Sequence, residues 1–398
     1  MDPAAREKFN AGFTSEKYQQ FLNKLNEGLS TPVSFRVAET PVFLTADFRD
    51  RLVAAGESII GTILQPNFKD LTGRAIPDKW RVANENRHPH FIALDFGICK
   101  DDAGNIVPKL IELQGFPSLY GFQQLLGDVY SEVFDIGDDK TIYFNGLDKA
   151  GYLDLLRETI VGAHDPAEVV LMDVNAPEQK TAVDFYITQK YLRIPVISLS
   201  DLIPRGIRLF YKDADGHERP VSRIYNRLIF DEIDNDPHIF RKVADIRQSF
   251  DIEWITHPNW FYRVSKFTMP FLHGEYIPQT RFLNQVDPIP ADLENYVLKP
   301  LFSFAGQGVI IDVTPDEIRK IKDPENWILQ QKVNYEPVVE SPEGGVKAEI
   351  RLLYLWPNGH AKPTLAINLA RLSRGKMIGV RYNRDFNWVG GTIAFMPR

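Results

Sequence analysis

Cysteine is nearly absent from this chain of 398 residues, Cys99 being the single one. One thiol cannot build an internal disulfide framework or a cysteine-rich zinc site, and it favours a reducing compartment. Long apolar runs are missing as well: no stretch of about 18 apolar residues reads as a membrane-spanning helix. The first residues carry the charges of Asp2, Arg6, Glu7 and Lys8 where a secretory signal would place an apolar core. The expectation is a soluble, cytoplasmic protein with no membrane partner. Excess positive charge is lacking too. A net charge of −7 and a pI near 5.7 argue against general affinity for nucleic acid, while leaving room for a local basic pocket around phosphate. No repeat, low-complexity segment or Gly-x-Ser-x-Gly elbow is visible.

What is present is globular composition, 44% hydrophobic and 25% charged, in a chain long enough for two or three domains. Residues 4–30 carry Phe9, Phe13, Tyr18, Phe21 and Leu22 at helical spacing, and residues 46–65 carry Leu52, Ile59, Ile60 and Ile63. Both read as packing helices whose aromatic and aliphatic residues face a core.

Residues 90–116 contain two apolar runs around the turn-forming Asp101, Asp102, Gly104 and Asn105, the pattern of an antiparallel hairpin. If the loop is centred between Ala103 and Gly104, Asp95 lies opposite Glu112, and Gln114 faces the same side two residues on. Facing carboxylates repel unless a cation compensates them. An oxygen-only set of two acids and an amide suits magnesium or manganese. The plain alternative is a solvated hairpin face with ordinary surface acids.

Next, residues 118–134 and 147–162 read as helices. Residues 168–173 form a buried-type strand, 178–192 a helix and 194–199 a second strand, a βαβ unit opening a small doubly wound domain near residue 165. Its first turn lacks the glycine fingerprint of dinucleotide binding. Residues 207–211 and 221–228 read as the two arms of a hairpin. Arg223, Tyr225 and Arg227 alternate on its second arm, which suits either a solvent face or an anion-binding face.

Residues 297–309 place Lys299 on a short apolar strand before a turn that holds Gly306 and Gly308. Amides of such a turn can close over phosphate oxygens while a lysine supplies the point charge. An ordinary hairpin with a surface lysine is the competing reading. Lys266 precedes Lys299 by 33 residues, enough for a helix, a strand and a connection. Beyond the turn, residues 327–333 form a strand ending in amides. Residues 349–356 and 364–371 pair antiparallel, which allows Arg351 and Arg371 to point toward the glycine turn.

In this order the parts resemble the ATP-grasp superfamily, especially the glutathione synthetase and glutathionylspermidine synthetase group. The likeness lies in Lys266 of SKF, Lys299 of VLKP before the glycine turn, Gln330, Gln331, Lys332 and Val333 of the hinge strand, and EIR followed by NLARLS. It covers about residues 256–398. The family usually has its metal-holding acids after these elements, yet only 27 residues follow Arg371 and their one acid is Asp385. The segment ALDFG to KLIELQGFPS resembles the missing part, as in circularly permuted members. The resemblance therefore implies an α+β or α/β chain with a circularly permuted ATP-grasp fold of two lobes enclosing ATP, plus a small doubly wound βαβ pre-ATP-grasp domain. The implied divisions are a helical segment over 1–65, the permuted metal-binding part over 66–164, a Rossmann-like substrate domain over 165–255 and the ATP-grasp lobes over 256–398.

Residue by residue, the resemblance implies that Lys266 and Lys299 contact the α- and β-phosphates of ATP. Ser303, Ala305, Gly306, Gln307 and Gly308 would cover the β- and γ-phosphates. Gln330 and the backbone of Gln331, Lys332 and Val333 would meet adenine, and Glu336 the ribose. Asp95, Glu112 and Gln114 would hold Mg2+ or Mn2+, with Gln114 where the family usually has asparagine. Arg351 and Arg371 would stabilise the transferring phosphoryl group, and Arg227, in IYNRL, would border the substrate. The implied activity is a carboxylate-amine or carboxylate-thiol ligase acting on an amino acid, peptide or polyamine through an acyl-phosphate, with ADP and phosphate released. An ATP-binding protein of this fold with lost or regulatory catalysis is the rival. A protein kinase is disfavoured, because Asp95, Phe96 and Gly97 precede the glycine turn and no His-Arg-Asp motif follows it.

Overall fold

The computed structural model describes residues 1–230, 233, 243–303, 306–375, 378 and 383–398. The central sheet is built from two distant pieces of chain. Its spatial order runs from Gly390–Thr392 through Thr364–Ser373, Gly344–Leu355 and Phe91–Lys100 to Ile106–Gln114, with Val339–Ser341 pairing on the long Gly344–Leu355 strand. All these pairings are antiparallel. Period-two alternation then decides what each face meets. Leu94, Phe96 and Ile98 share one face with Ile350, Leu352 and Tyr354, and pack against Leu52, Ile59 and Ile60 of the helix Ala46–Ile63. The opposite face is apolar at one end, where Ala93, Leu353 and Leu369 meet the helix Tyr120–Val133. Toward the other end the same face becomes charged, with Asp95, Arg351, Glu349 and Arg371.

The hairpin within this sheet has the expected pair, Asp95 opposite Glu112, though the loop is not centred as expected. Nearer the turn, Phe96 pairs with Leu110 and Gly97 with Lys109, so the ladder is centred on Ala103. A bulge at Ile111 inserts one residue and restores the Asp95 to Glu112 pairing.

The βαβ unit is present: Val169–Asp173 and Val196–Ser198 are parallel neighbours, with helix Ala182–Leu192 between them in sequence. The second hairpin differs from expectation. Arg208–Lys212 lies between Ile203–Arg205 and Glu218–Val221 in a small antiparallel sheet, whose last strand stops at Val221, after which Arg223–Asn226 enters the parallel sheet between Val169–Asp173 and Glu253–Ile255. A parallel strand is covered on both faces, so Arg223 and Tyr225 are buried; Arg227, directly after the strand, is buried as well, and none of the three lies on a solvent face. Arg223 pairs with Glu253 at 2.6 Å and Arg227 with Asp184 at 3.2 Å.

A third sheet, antiparallel, sets Trp327–Gln331 between Thr280–Phe282 and Tyr296–Pro300, over a small core of Leu283, Leu293, Leu298, Val313 and Leu329. Residues 4–30 break into two helices, Pro3–Gly12 and Ser15–Leu25, because Thr14 is extended and its hydroxyl accepts from the Lys17 amide. Val42–Phe43 then pairs with Ala394–Pro397. Among the described residues no helix is long and apolar enough to cross a membrane.

Asn368 clamps the C-terminal strands. Its buried amide donates to the carbonyls of Ile142 and Ala394 and accepts from the Ala394 amide at 2.7 Å. Asn368→Ala leaves three buried backbone groups without that partner, at about 1–3 kcal/mol for each group left unmet. The expected outcome is a clear drop in the thermal unfolding midpoint, measured by circular dichroism.

Candidate functional site

The charged end of the central sheet opens into a cavity of about 1600 Å³. A single small-molecule site occupies roughly 300–1,000 Å³, so there is room here for more than one ligand. Lysines and arginines outnumber acids along its wall. Its floor is the central sheet, and the third sheet stands opposite.

On the floor, neighbouring strands put Asp95 beside Arg351 and Glu349 beside Arg371. Arg351 grips Asp95 with two hydrogen bonds, Nη2 donating to Oδ2 at 2.6 Å, and Arg371 Nη2 reaches the same oxygen at 3.0 Å. Arg371 also pairs with Glu349, Nε donating at 3.0 Å, and the Tyr335 hydroxyl donates to the other oxygen of Glu349 at 3.1 Å. Gly97 makes that last contact possible: a Cβ there would stand 2.8 Å from the Tyr335 ring.

Burial works against the charge of Asp95, but Arg351 and then Arg371 outweigh it and hold the carboxyl below the ordinary range. Glu349 goes the other way, raised by burial that Arg371 only partly opposes and by the Asp95 charge alongside. The repulsion expected between Asp95 and Glu112 is thus compensated by guanidinium groups of the chain itself. Both Asp95 oxygens accept from arginine, so of the three expected metal ligands this one is already committed. Glu112 and Gln114 do line the cavity, joined by a hydrogen bond of 2.8 Å from the Gln114 amide. Among the described residues, a close trio of metal-type side chains occurs at Asp213, Asp215 and His217, on an exposed turn outside the cavity, with Asp213 paired to Arg219.

From the third sheet, alternation aims Val297, Lys299 and Leu301 into the cavity and turns Leu298 into its small core. Lys299 Nζ crosses to the central sheet and donates to the Ile111 carbonyl at 3.0 Å, at the bulge beside Glu112. Burial pushes its ammonium below the usual lysine range, against the pull of Glu112, Glu349 and Asp95. Lys266 also lines the cavity, and its Nζ donates to the carbonyl and hydroxyl of Ser303 at 2.7 and 2.8 Å. Gly306 and Gln307 line the wall. Gly306 and Gly308 both have positive φ, 74° and 71°, which suits glycine in this turn. Ala305 lies outside the described residues.

Gln330 is fully buried on the cavity wall, and neither its Oε1 nor its Nε2 has a hydrogen-bond partner among the described residues. Buried amides are ordinarily satisfied, so this one is complementary to a ligand that both donates and accepts. Gln331, Lys332 and Val333 line the same wall, although the amides of Gln331 and Lys332 already donate to the carbonyls of Gln279 and Asn295. Glu336 stands apart from the expected set: it is not part of the lining and pairs with Lys100 at 2.8 Å. Arg227 does line the cavity.

Sequence reasoning passed over Glu349, Tyr335 and Gln123. Glu349 carried a usable signal, since it lies two residues before Arg351 and so shares its face. Tyr335 and Gln123 carried none. Removing Arg351 should expose the dependence of Asp95 on it. Arg351→Met leaves a buried carboxylate short of its main partner, a loss of about 3–5 kcal/mol, seen as a lower urea midpoint, and pairing it with Asp95→Leu should recover most of the loss.

No protein-family model and no curated protein matches the chain. Among solved structures, a glutathione synthetase-like effector from Globodera pallida, in its apo form, aligns with a TM-score of 0.56 at 14% identity, over 90% of this chain and 94% of the other. A putative gamma-glutamylcysteine synthetase from Methylobacillus flagellatus KT aligns at 0.39 and 12% identity, over 86% of each chain. The first likeness extends over nearly the whole length of both chains, and what it shows is fold: a mixed α/β chain of several sheets, arranged as in a glutathione synthetase-like protein.

Proposed function

We propose that the protein is an ATP- and magnesium-dependent ligase that joins a carboxylate to an amine or thiol through an acyl-phosphate and releases ADP and phosphate. One observation carries this reading. A single cavity collects Lys266, Lys299, the glycine turn, Gln330 with no side-chain partner among the described residues, and the guanidinium groups of Arg351 and Arg371. The acidic hairpin precedes the glycine turn in the chain and faces it in space, which supports a circularly permuted ATP-grasp arrangement.

In this reading Gln330 receives the adenine edge with the donor and acceptor of its side-chain amide, and Lys266 and Lys299 balance the α- and β-phosphates. Lys299 exchanges its bond to the Ile111 carbonyl for a phosphate oxygen, and its poorly solvated ammonium gains from the added negative charge. Backbone amides at Gly306 and Gln307 cover the outer phosphates and keep water from the γ-phosphorus. The substrate carboxylate attacks that phosphorus, forming a new P–O bond as the bond to ADP breaks. Arg351 and Arg371 hold the charge that develops on the phosphoryl oxygens. The amine then attacks the acyl carbon, phosphate departs with the C–O electron pair, and the amine loses a proton to solvent. Magnesium, held by the oxygens of Glu112 and Gln114, would neutralise polyphosphate charge. Asp95 does not fit as a ligand in this arrangement.

That commitment of Asp95 favours a second reading, an ATP-binding protein of the same fold without turnover. ADP release over a panel of amino acids, short peptides and polyamines separates the two.

Calorimetry with Mg-ATP should show Lys299→Ala binding at least about a hundredfold more weakly, the loss expected when a charge-assisted contact worth roughly 3 kcal/mol is removed; unchanged affinity refutes the phosphate assignment. Glu112→Ala should retain part of the nucleotide affinity yet release no ADP, and undiminished turnover in that variant rules out its metal role.

A further inference from the structure

Gln123 stands in the first turn of helix Tyr120–Val133, on the wall of the same cavity. It is 1% exposed, and its Oε1 has no hydrogen-bond partner among the described residues. Arg227, 4% exposed and also on the wall, uses Nη1 on Asp184, while its Nε is likewise unmet among the described residues. Asp184 ties the two together. Its carboxylate accepts from the amides of Leu119 and Phe122 at 3.0 and 2.9 Å, so the start of the helix is satisfied from within the protein. Among the described residues the unmet atoms around this junction are Gln123 Oε1, a buried acceptor, Arg227 Nε, a buried donor, and the hydroxyl of Tyr225, which neighbours Arg227. A peptide-type group, which offers an N–H and a carbonyl or carboxylate oxygen together, answers the acceptor of Gln123 and the guanidinium of Arg227.

From Arg227 an aromatic row runs along the cavity. The guanidinium lies over the Phe116 ring at 5.2 Å, Phe116 meets Phe261 edge-on at 5.4 Å, and Phe261 meets Tyr262 at 5.1 Å. Tyr262 meets Phe302 at 6.2 Å, and Phe302 precedes Ser303, the partner of Lys266. Phe302 is 38% exposed although it is a large apolar side chain. Its open ring is surface that an apolar ligand would cover. Arg36, Lys180 and Arg384 also line the cavity and give it a cationic character that repels a polyamine.

We propose that this part of the cavity seats a short peptide or N-acyl amino acid with a free carboxylate and a large apolar side chain, aromatic by preference. Gln123 Oε1 receives its amide N–H, Arg227 holds its carbonyl or carboxylate oxygen, and the row from Phe116 to Phe302 covers its side chain. That the seated peptide is a ligase substrate rests on reading the cavity as a site for two ligands, one of them a nucleotide; the seat itself does not.

The test is calorimetry on the full chain with four probes: glycyl-phenylalanine, glycyl-glycine, 3-phenylpropionate and spermidine. Glycyl-phenylalanine should bind at least about tenfold more tightly than glycyl-glycine, as burial of an aromatic side chain predicts, and spermidine least. Phe302→Ala, a change at an exposed ring, should abolish most of that preference. Gln123→Leu should weaken glycyl-phenylalanine several-fold and leave 3-phenylpropionate, which has no N–H, unchanged. Equal binding of the two dipeptides, preference for spermidine, no dipeptide binding at millimolar concentration, or equal loss of both phenyl probes in Gln123→Leu overturns the proposal. Mg-ATP titrated separately into the same protein distinguishes the failures: peptide binding without nucleotide binding leaves this assignment standing and removes the ligase reading.

Discussion

Everything at the charged end of the molecule depends on one buried ion pair, Asp95 with Arg351, made between adjacent antiparallel strands that come from opposite ends of the chain. Charges out of water are costly, and an arrangement of this kind persists only when each lone pair and each N–H has a partner. Here Arg371 and Glu349 complete the set, and Tyr335, packed against Gly97, completes Glu349. The result is a rigid polar floor in which acids and guanidiniums are held in register by backbone pairing. Such a floor is set before any ligand arrives, the condition under which fixed charges act most strongly on a developing charge.

The second constraint is the bulge at Ile111. A regular ladder would turn its carbonyl to a neighbouring strand, but the extra residue interrupts the pairing at this point. That carbonyl takes the Lys299 ammonium from the sheet across the cavity. A single backbone irregularity thus brings the lysine strand to the acidic hairpin, and it also sets Glu112 opposite Asp95. Lysine held this way is poorly solvated, and it gains from any anion that replaces the carbonyl. Gln330, buried with neither end of its amide met among the described residues, is a second place on the wall with polar capacity for a ligand.

The hairpin, the βαβ unit and the lysine strand were all legible in the residues, because each is governed by local alternation and turn chemistry. Turn residues at positions 101–105 and the apolar runs beside them placed Asp95 opposite Glu112, even though the true loop centre differs by half a residue and a bulge makes up the difference. The second hairpin was misread for a related reason. Alternation marks two faces but does not say which is wet: Arg223 lies in a strand covered on both sides and Arg227 directly follows it, both buried with acidic partners supplied by Glu253 and Asp184.

By itself, then, the sequence determined which side chains share a face: Asp95 with Gly97, Glu349 with Arg351, Lys299 with Val297, each a consequence of the two-residue period of a strand. Only tertiary structure decided how those faces are used. It gave Asp95 to arginine, sent Glu336 to Lys100, brought Lys299 to the Ile111 carbonyl and left Gln330 and Gln123 in one cavity with polar atoms unmet among the described residues. The physical reason is that a buried charge or amide is governed by whichever partner lies within hydrogen-bond reach, and those partners come from strands and helices hundreds of residues apart, where no local pattern records them.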